Sequence, residues 1–508
     1  MKYWLLAPVA LALATGTHAH DGHKESEDSS LASVGAQYMV METSANEAAR
    51  EPFLRGLALL HNFEYGRAAD AFREAQVADP GFVMAYWGEA MTYNHPLWEQ
   101  QDRAKALEVL ARLGATPRER RAKARSEREA MWLDAVETLY AEGTKQDRDH
   151  LYLAKMRALH ESDPDDIDAR AFTGLAILGT SHGGRQVPLY MQAAGLLEPG
   201  FMTHQMHPGI LHYLIHSYDD PVHAPLGARM AERYAVVAPD AGHAQHMISH
   251  IFHALGDWAA SERANTLADA VVDRQRAAMG GEPADCGHYN EWLVYSKVQQ
   301  GKDASAIVAG CRAQAIAAIK AGSERRLGSG ATSSYSGIAL WNGIVTGTWP
   351  EPLPFQGDGF LLARFDMATA ELLANRGNAA AAKGALKTMR ALAAEIEAVL
   401  PQEDPLNTYT MPWLERQIAQ GEAIVALASG QTARGLDLLE AAGKAEAGLP
   451  EVFGPPPMTM PSYEMLGLHL LEAGRAGEAA AAFGKALALA PGRKISVDGL
   501  ARAKARMK

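Results

Sequence analysis

The stretch GLHLLEAGRAGEAAAAFGKALALAP, Gly467–Pro491, decides the fold. Gly467, Ala479, Phe483, Ala486 and Pro491 occupy the offsets expected of a hairpin of two helices. Small residues fall where the two helices touch, and the phenylalanine fills the space between successive hairpins. The proline ends the second helix because it lacks an N–H and clashes with the preceding turn. Near the other end, GLALLHNFEYGRAADAFREAQVADP, Gly56–Pro80, carries Gly56, Ala68, Phe72, Ala75 and Pro80 at the same offsets. Five landmarks in register, twice, predict an all-α, right-handed solenoid of helical hairpins.

Outward from these stretches, almost everything from Arg50 has helical period, with Pro or Gly between helices. Pro164, Pro199 and Pro239 each close an amphipathic run, and Gly256-Asp257-Trp258 and Gly301-Lys302-Asp303 read as mid-hairpin turns. Alternating strand patterns are missing. The stretch 323–360 is rich in Gly, Ser, Thr and Pro and reads as an irregular insertion; helical pattern resumes at Leu361. The expected organisation is a signal segment (1–19), a flexible acidic leader (20–45), an N-terminal solenoid (46–322), the insertion (323–360) and C-terminal repeats (361–508).

The signal reading rests on Lys2, the apolar run Tyr3–Ala14 broken by Pro8, and the small-x-small site Thr17-His18-Ala19. It predicts a periplasmic or secreted protein without a membrane span after cleavage, since no later stretch is long and apolar enough. The chain has 508 residues, 48% hydrophobic and 21% charged, which suits a large packed core. Its net charge of −12 speaks against nucleic-acid binding, which needs a basic face. Two cysteines, Cys286 and Cys311, leave open either one disulfide or two buried thiols.

The segment His61-Asn62-Phe63-Glu64-Tyr65-Gly66-Arg67-Ala68-Ala69, with Ala85-Tyr86-Trp87-Gly88-Glu89-Ala90, resembles the large bacterial tetratricopeptide-repeat proteins. So do Gly242-His243-Ala244-Gln245-His246-Met247-Ile248-Ser249-His250-Ile251 and the tail from Phe453-Gly454-Pro455-Pro456 to Glu464-Met465-Leu466-Gly467. The resemblance spans roughly 45–503. It implies an all-α solenoid and says little about activity, because a repeat type is not a function. One departure stands out: those proteins usually carry Pro where this chain has Ile248.

The strongest chemical signal is a set of histidines in repeat register. His212 and His216 are four apart, as are His246 and His250, and each pair lies 34 residues from the other. Residues i and i+4 share one helix face. Equivalent helices of adjacent repeats stand about 10 Å apart. The two pairs should therefore face each other across one groove. Counted from the Gly256 turn, His243, His246, His250 and His253 fall at positions that line the concave surface in proteins of this repeat type. Counted from the Gly301 turn, His288 and Glu291 fall on the next unit. The resemblance implies histidine at both places, so Glu291 substitutes one metal-binding residue type for another.

Converging neutral imidazoles with few carboxylates suit copper or zinc, with iron also compatible, over magnesium or calcium. The expected ligands are His212, His216, His246 and His250, with His243, His288 and Glu291 in or beside them. His182 in a Gly-rich turn, His207, His253 and Asp219 are weaker groove candidates; Asp219 and Asp220 are placed either to fix an imidazole tautomer or, the more common use of such residues, to start the turn before Pro221. His61 and His95, also 34 apart, are expected to mark a second patch. The mature N-terminus His20-Asp21-Gly22-His23 is a minor copper-chelating candidate. No phosphate-binding Gly-rich loop, haem-attachment motif or Gly-x-Ser-x-Gly elbow is present. The expectation is a metal carrier or a metal-dependent oxidoreductase or hydrolase acting on a small molecule. The alternative is a metal-free repeat scaffold whose groove binds a peptide or protein.

Overall fold

The computed structural model describes residues 31–322, 325–328, 330–404, 407, 410–449 and 459–508. The expected signal segment, His20 and His23 lie outside them, as does Phe453-Gly454-Pro455-Pro456. The described residues form 23 α-helices, and the only strands are Asn94–His95 and Gln100–Gln101, an antiparallel pair. The fold is all-α, as expected. None of the described helices is long and apolar enough to cross a membrane.

The landmark residues do what their spacing predicts. Helix Glu47–His61 packs on Tyr65–Ala78, and Ser462–Glu472 packs on Ala476–Leu489. Phe72 is fully buried between two glycines: a Cβ on Gly56 would lie 2.9 Å from its ring, and one on Gly88 2.4 Å. Phe483 repeats this with Gly467 (2.7 Å) and Gly499 (2.3 Å). In each case the phenylalanine joins its own hairpin to the next, and only glycine permits the approach.

The chain forms two compact units, each described by itself. The first comprises the described residues to 219 together with 223–251; the second comprises 252–508 with 220–222. The expected 46–322 solenoid is thus divided near Ile251.

Two expectations need correction. Residues 31–45 of the expected flexible leader are packed. Leu31–Val34 and Ala36–Tyr38 are 3-10 turns, and Val34, Ala36, Met39 and Met41 are buried. The Asn62 side chain donates to the Val34 carbonyl (2.9 Å), and Asp240 N–H donates to that of Ser33 (2.9 Å). A short apolar run inside an acidic, Ser-rich segment is enough to dock it. Secondly, the stretch 323–360 contains a regular helix, Ala331–Thr346, with Ser334, Ser336, Ile338 and Ala339 buried. Its small residues let it pack against His288–Gln299 and Ser305–Ala321, and Gly347 (φ +79°) ends it.

In the second unit Cys286 and Cys311 are bonded, with Cα atoms 4.5 Å apart. The buried Arg493 guanidinium donates to the Glu464 carboxylate (2.8 Å), the Tyr295 hydroxyl (2.9 Å) and the Thr459 carbonyl (3.0 Å). This network ties the last repeat to helix His288–Gln299 and gives each nitrogen of the buried cation's fork an acceptor.

Candidate metal centre

Two helices of the first unit carry the cluster. Pro208–Tyr218 opens with proline at its first position, where the missing N–H costs nothing, and His207 caps it by accepting from Ile210 N–H (3.3 Å). Gly242–Leu255 is the other. The i, i+4 spacing works as the sequence predicts. His212 Nε2 and His216 Nε2 are 3.1 Å apart, and so are His246 Nε2 and His250 Nε2. One nitrogen each from His212, His216 and His243 lie within 4.8 Å of one another. Ring centroids are 5.9 Å apart for His216–His250 and 6.2 Å for His243–His246. The five rings therefore gather in one interior space. They are 0–6% exposed, so the groove expected from the repeat is closed over them.

The outer nitrogens fix which way the rings point. His212 Nδ1–H donates to the main-chain carbonyl of His61 (2.6 Å). A carbonyl only accepts, so in the neutral ring Nε2 carries the lone pair. His250 Nδ1–H donates to the Asp219 carboxylate (2.5 Å), again turning Nε2 inward. Each pair thus has one ring held from behind with its lone pair facing the other. Burial, outweighing the His61 carbonyl, pushes the His212 pKa down to about 3. Burial and the neighbouring His212, His250, His243 and Arg185 push His216 well below its ordinary value. Arg185 itself donates to the His216 (3.0 Å) and Ser217 (3.1 Å) carbonyls, closing the end of that helix.

The turn His61–Tyr65 builds the wall behind the cluster, a role the sequence reading did not assign it. Phe63 sits in the left-handed region (φ +59°), unusual for a bulky residue. Its ring lies 4.3 Å from that of His212, 5.4 Å from His243 and 6.0 Å from His216. The Glu64 carboxylate accepts from His243 N–H (3.2 Å) at the start of helix Gly242–Leu255, where a negative charge meets the helix dipole. Burial raises the Glu64 pKa, against Arg67 and the two N–H groups at that helix start. A Cβ on Gly209 would lie 2.3 Å from His61 Nδ1, so only glycine lets the turn come this close.

The remaining histidine candidates of the first unit go elsewhere. His207 belongs to a second buried set: its Nε2 lies 3.1 Å and His61 Nε2 3.0 Å from Asp168 Oδ1. His207 Nδ1 accepts from Ile210 N–H, so its Nε2–H is the donor to Asp168. Tyr213 meets His61 Nδ1 (2.9 Å). Burial alone would raise the Asp168 pKa, but attraction to His207 and the hydrogen bonds from both rings hold it well below the usual carboxylate range. His95 stacks on Tyr65 (4.0 Å) and bonds the Thr92 carbonyl, so it shares no patch with His61. His182 lies 2.9 Å from Asp149, which also pairs with Lys145, a network near the surface. In the second unit, His253 is enclosed by Trp258, Trp292 and Tyr295 at 4.8–5.0 Å. His288 opens helix His288–Gln299 half-buried, and Glu291 is buried there with its pKa raised to about 7 by burial, against a Ser334 hydrogen bond.

The class of molecule is therefore an all-α helical-hairpin repeat protein with a buried histidine cluster. No family model matches the chain, and no curated protein matches it in sequence. Among solved structures it is similar to the APC/C hetero-tetramer Cut9–Hcn1 (12% identity over 93% of this chain and 79% of that one, TM-score 0.36). It is also similar to the human IFIT1 dimer with m7Gppp-AAAA (12%, 93% and 92%, TM-score 0.33) and to yeast Tom70 (13%, 90% and 95%, TM-score 0.26). At this level of likeness the fold stands on the packing described above.

Proposed function

We propose that the first unit holds one or two transition-metal ions, copper or zinc before iron, through His212, His216 and His243, which converge within 4.8 Å, and through the pair His246 and His250 beside them. The observation that carries this is the pair of 3.1 Å Nε2–Nε2 approaches with an acceptor behind one ring of each pair. Two lone pairs that close repel unless a proton or a cation lies between them. With metal–nitrogen bonds of about 2.0–2.1 Å, nitrogens 3.1 Å apart subtend about 100° at the ion, between square and tetrahedral angles. The His61 carbonyl and the Asp219 carboxylate are the acceptors that orient ligating imidazoles. An all-imidazole set suits copper and zinc and offers nothing to magnesium or calcium.

The site's enclosure favours holding an ion over processing a large substrate, and it limits any reactant to a small molecule. Together with the N-terminal signal reading, this describes an exported metal-holding repeat protein. Protein purified without an affinity tag and reconstituted with Cu(II) or Zn(II) should contain at least one equivalent by mass spectrometry. Less than a tenth of an equivalent of any transition metal would leave the metal-free scaffold reading in its place.

A further inference from the structure

A cavity of about 20 Å³ lies in the first unit, with Phe63 in its wall. That volume accommodates a very small guest. Leu139, Phe172 and Leu175 make much of the wall apolar. Tyr65 and Tyr152 also line it; both hydroxyls are buried and neither has a hydrogen-bond partner among the described residues. Burial raises both phenol pKa values, so each hydroxyl keeps its proton and stands as a donor. Of the polar acceptors in the wall, Asp149 Oδ2 takes Lys145 (2.6 Å) and His182 (2.9 Å), and Asn94 Oδ1 takes Gln101 (3.0 Å). Buried hydroxyls left unbonded are costly, and two in one cavity call for an acceptor from outside the chain.

We propose that this cavity is a binding pocket for a neutral molecule of two or three heavy atoms, its acceptor atom on the Tyr65 and Tyr152 hydroxyls and its apolar end against Leu139, Phe172 and Leu175. Phe63 is the partition between this pocket and the histidine cluster, touching both. Its left-handed backbone is strain of the kind found at functional sites. As a substrate pocket the cavity rests on the metal reading, because it sets a small reactant one ring away from the proposed ion. As a binding pocket it stands without the metal.

The test uses acetonitrile, a three-atom probe with one acceptor and one methyl end, on the full chain both stripped of metal and reconstituted. Crystals soaked with it should show the probe in the cavity with its nitrogen at Tyr65 and Tyr152. Titration followed by NMR should saturate, with a Kd no tighter than about 1 mM for so small a ligand. The Tyr65→Phe/Tyr152→Phe variant keeps the ring shapes and should bind at least fivefold more weakly, with an unchanged circular dichroism spectrum. Water alone on the two hydroxyls with no saturable shift, or equal affinity in the double variant, overturns the pocket. Saturable binding to a chain that retains no metal supports the pocket and sinks only the metal reading.

Discussion

The first unit holds two buried histidine sets that share residue types and differ in where their lone pairs point. Around Asp168, His207 donates from Nε2 and accepts at Nδ1, and the carboxylate gathers both His207 and His61. Both rings converge on Oδ1, and the buried Oδ2 has no partner among the described residues. In the cluster of His212, His216, His243, His246 and His250, acceptors hold outer nitrogens and the inner ones face each other. Buried histidine is thus no signal of a metal by itself. The direction imposed by the atoms behind each ring distinguishes a set gathered on a carboxylate from the set proposed as ligands.

The comparison can be broken most directly by metal content. His246→Ala/His250→Ala should lose stoichiometric metal, whereas His207→Ala should keep it. Elemental analysis of both variants decides, and the opposite pattern would exchange the roles of the two sets. Stability comes next. Asp168→Asn removes the charge that both His61 and His207 address, and should cost about 3–5 kcal/mol in urea unfolding while leaving metal per folded chain unchanged. Asp219→Ala, by contrast, should leave the fold intact and weaken metal affinity about 10–100-fold in chelator competition. The smallest effect is in pH. Asp168 has a native pKa below its unfolded one, so its contribution is complete above about pH 5 and is lost as the pH falls through about 4 toward the native value. The metal-free wild type should show this acid limb in its unfolding midpoints, and Asp168→Asn should flatten it.

The repeat and the paired histidines were legible in the sequence because both are expressed in spacing. Phe72 needs a glycine facing it across its hairpin, and a helix makes i and i+4 neighbours, so Gly56, His212 and His246 announce themselves; the second glycine against Phe72, Gly88, emerges only from the packing. Asp219 was legible as a tautomer-fixing partner, and the structure sets it on His250. What stayed hidden depends on contacts with no periodic mark. The acceptor behind His212 is a main-chain carbonyl, which every residue carries. His207 and His61 are brought together by Asp168, far from both in sequence. The helix Ala331–Thr346 was masked by small polar residues that serve equally in loops and in tight packing.

The bond from His212 to the His61 carbonyl has a consequence for how such chains can drift. Any amino acid at position 61 supplies that oxygen, so the orienting service to His212 survives replacement of the side chain. The imidazole at position 61 answers to a different constituency, Asp168 and Tyr213. Among descendants of this sequence, variation at 61 should therefore track changes at 168 and 207 and run independently of 212. One residue would then belong to two lineages of constraint, one written in its side chain and one that leaves no trace in the alphabet.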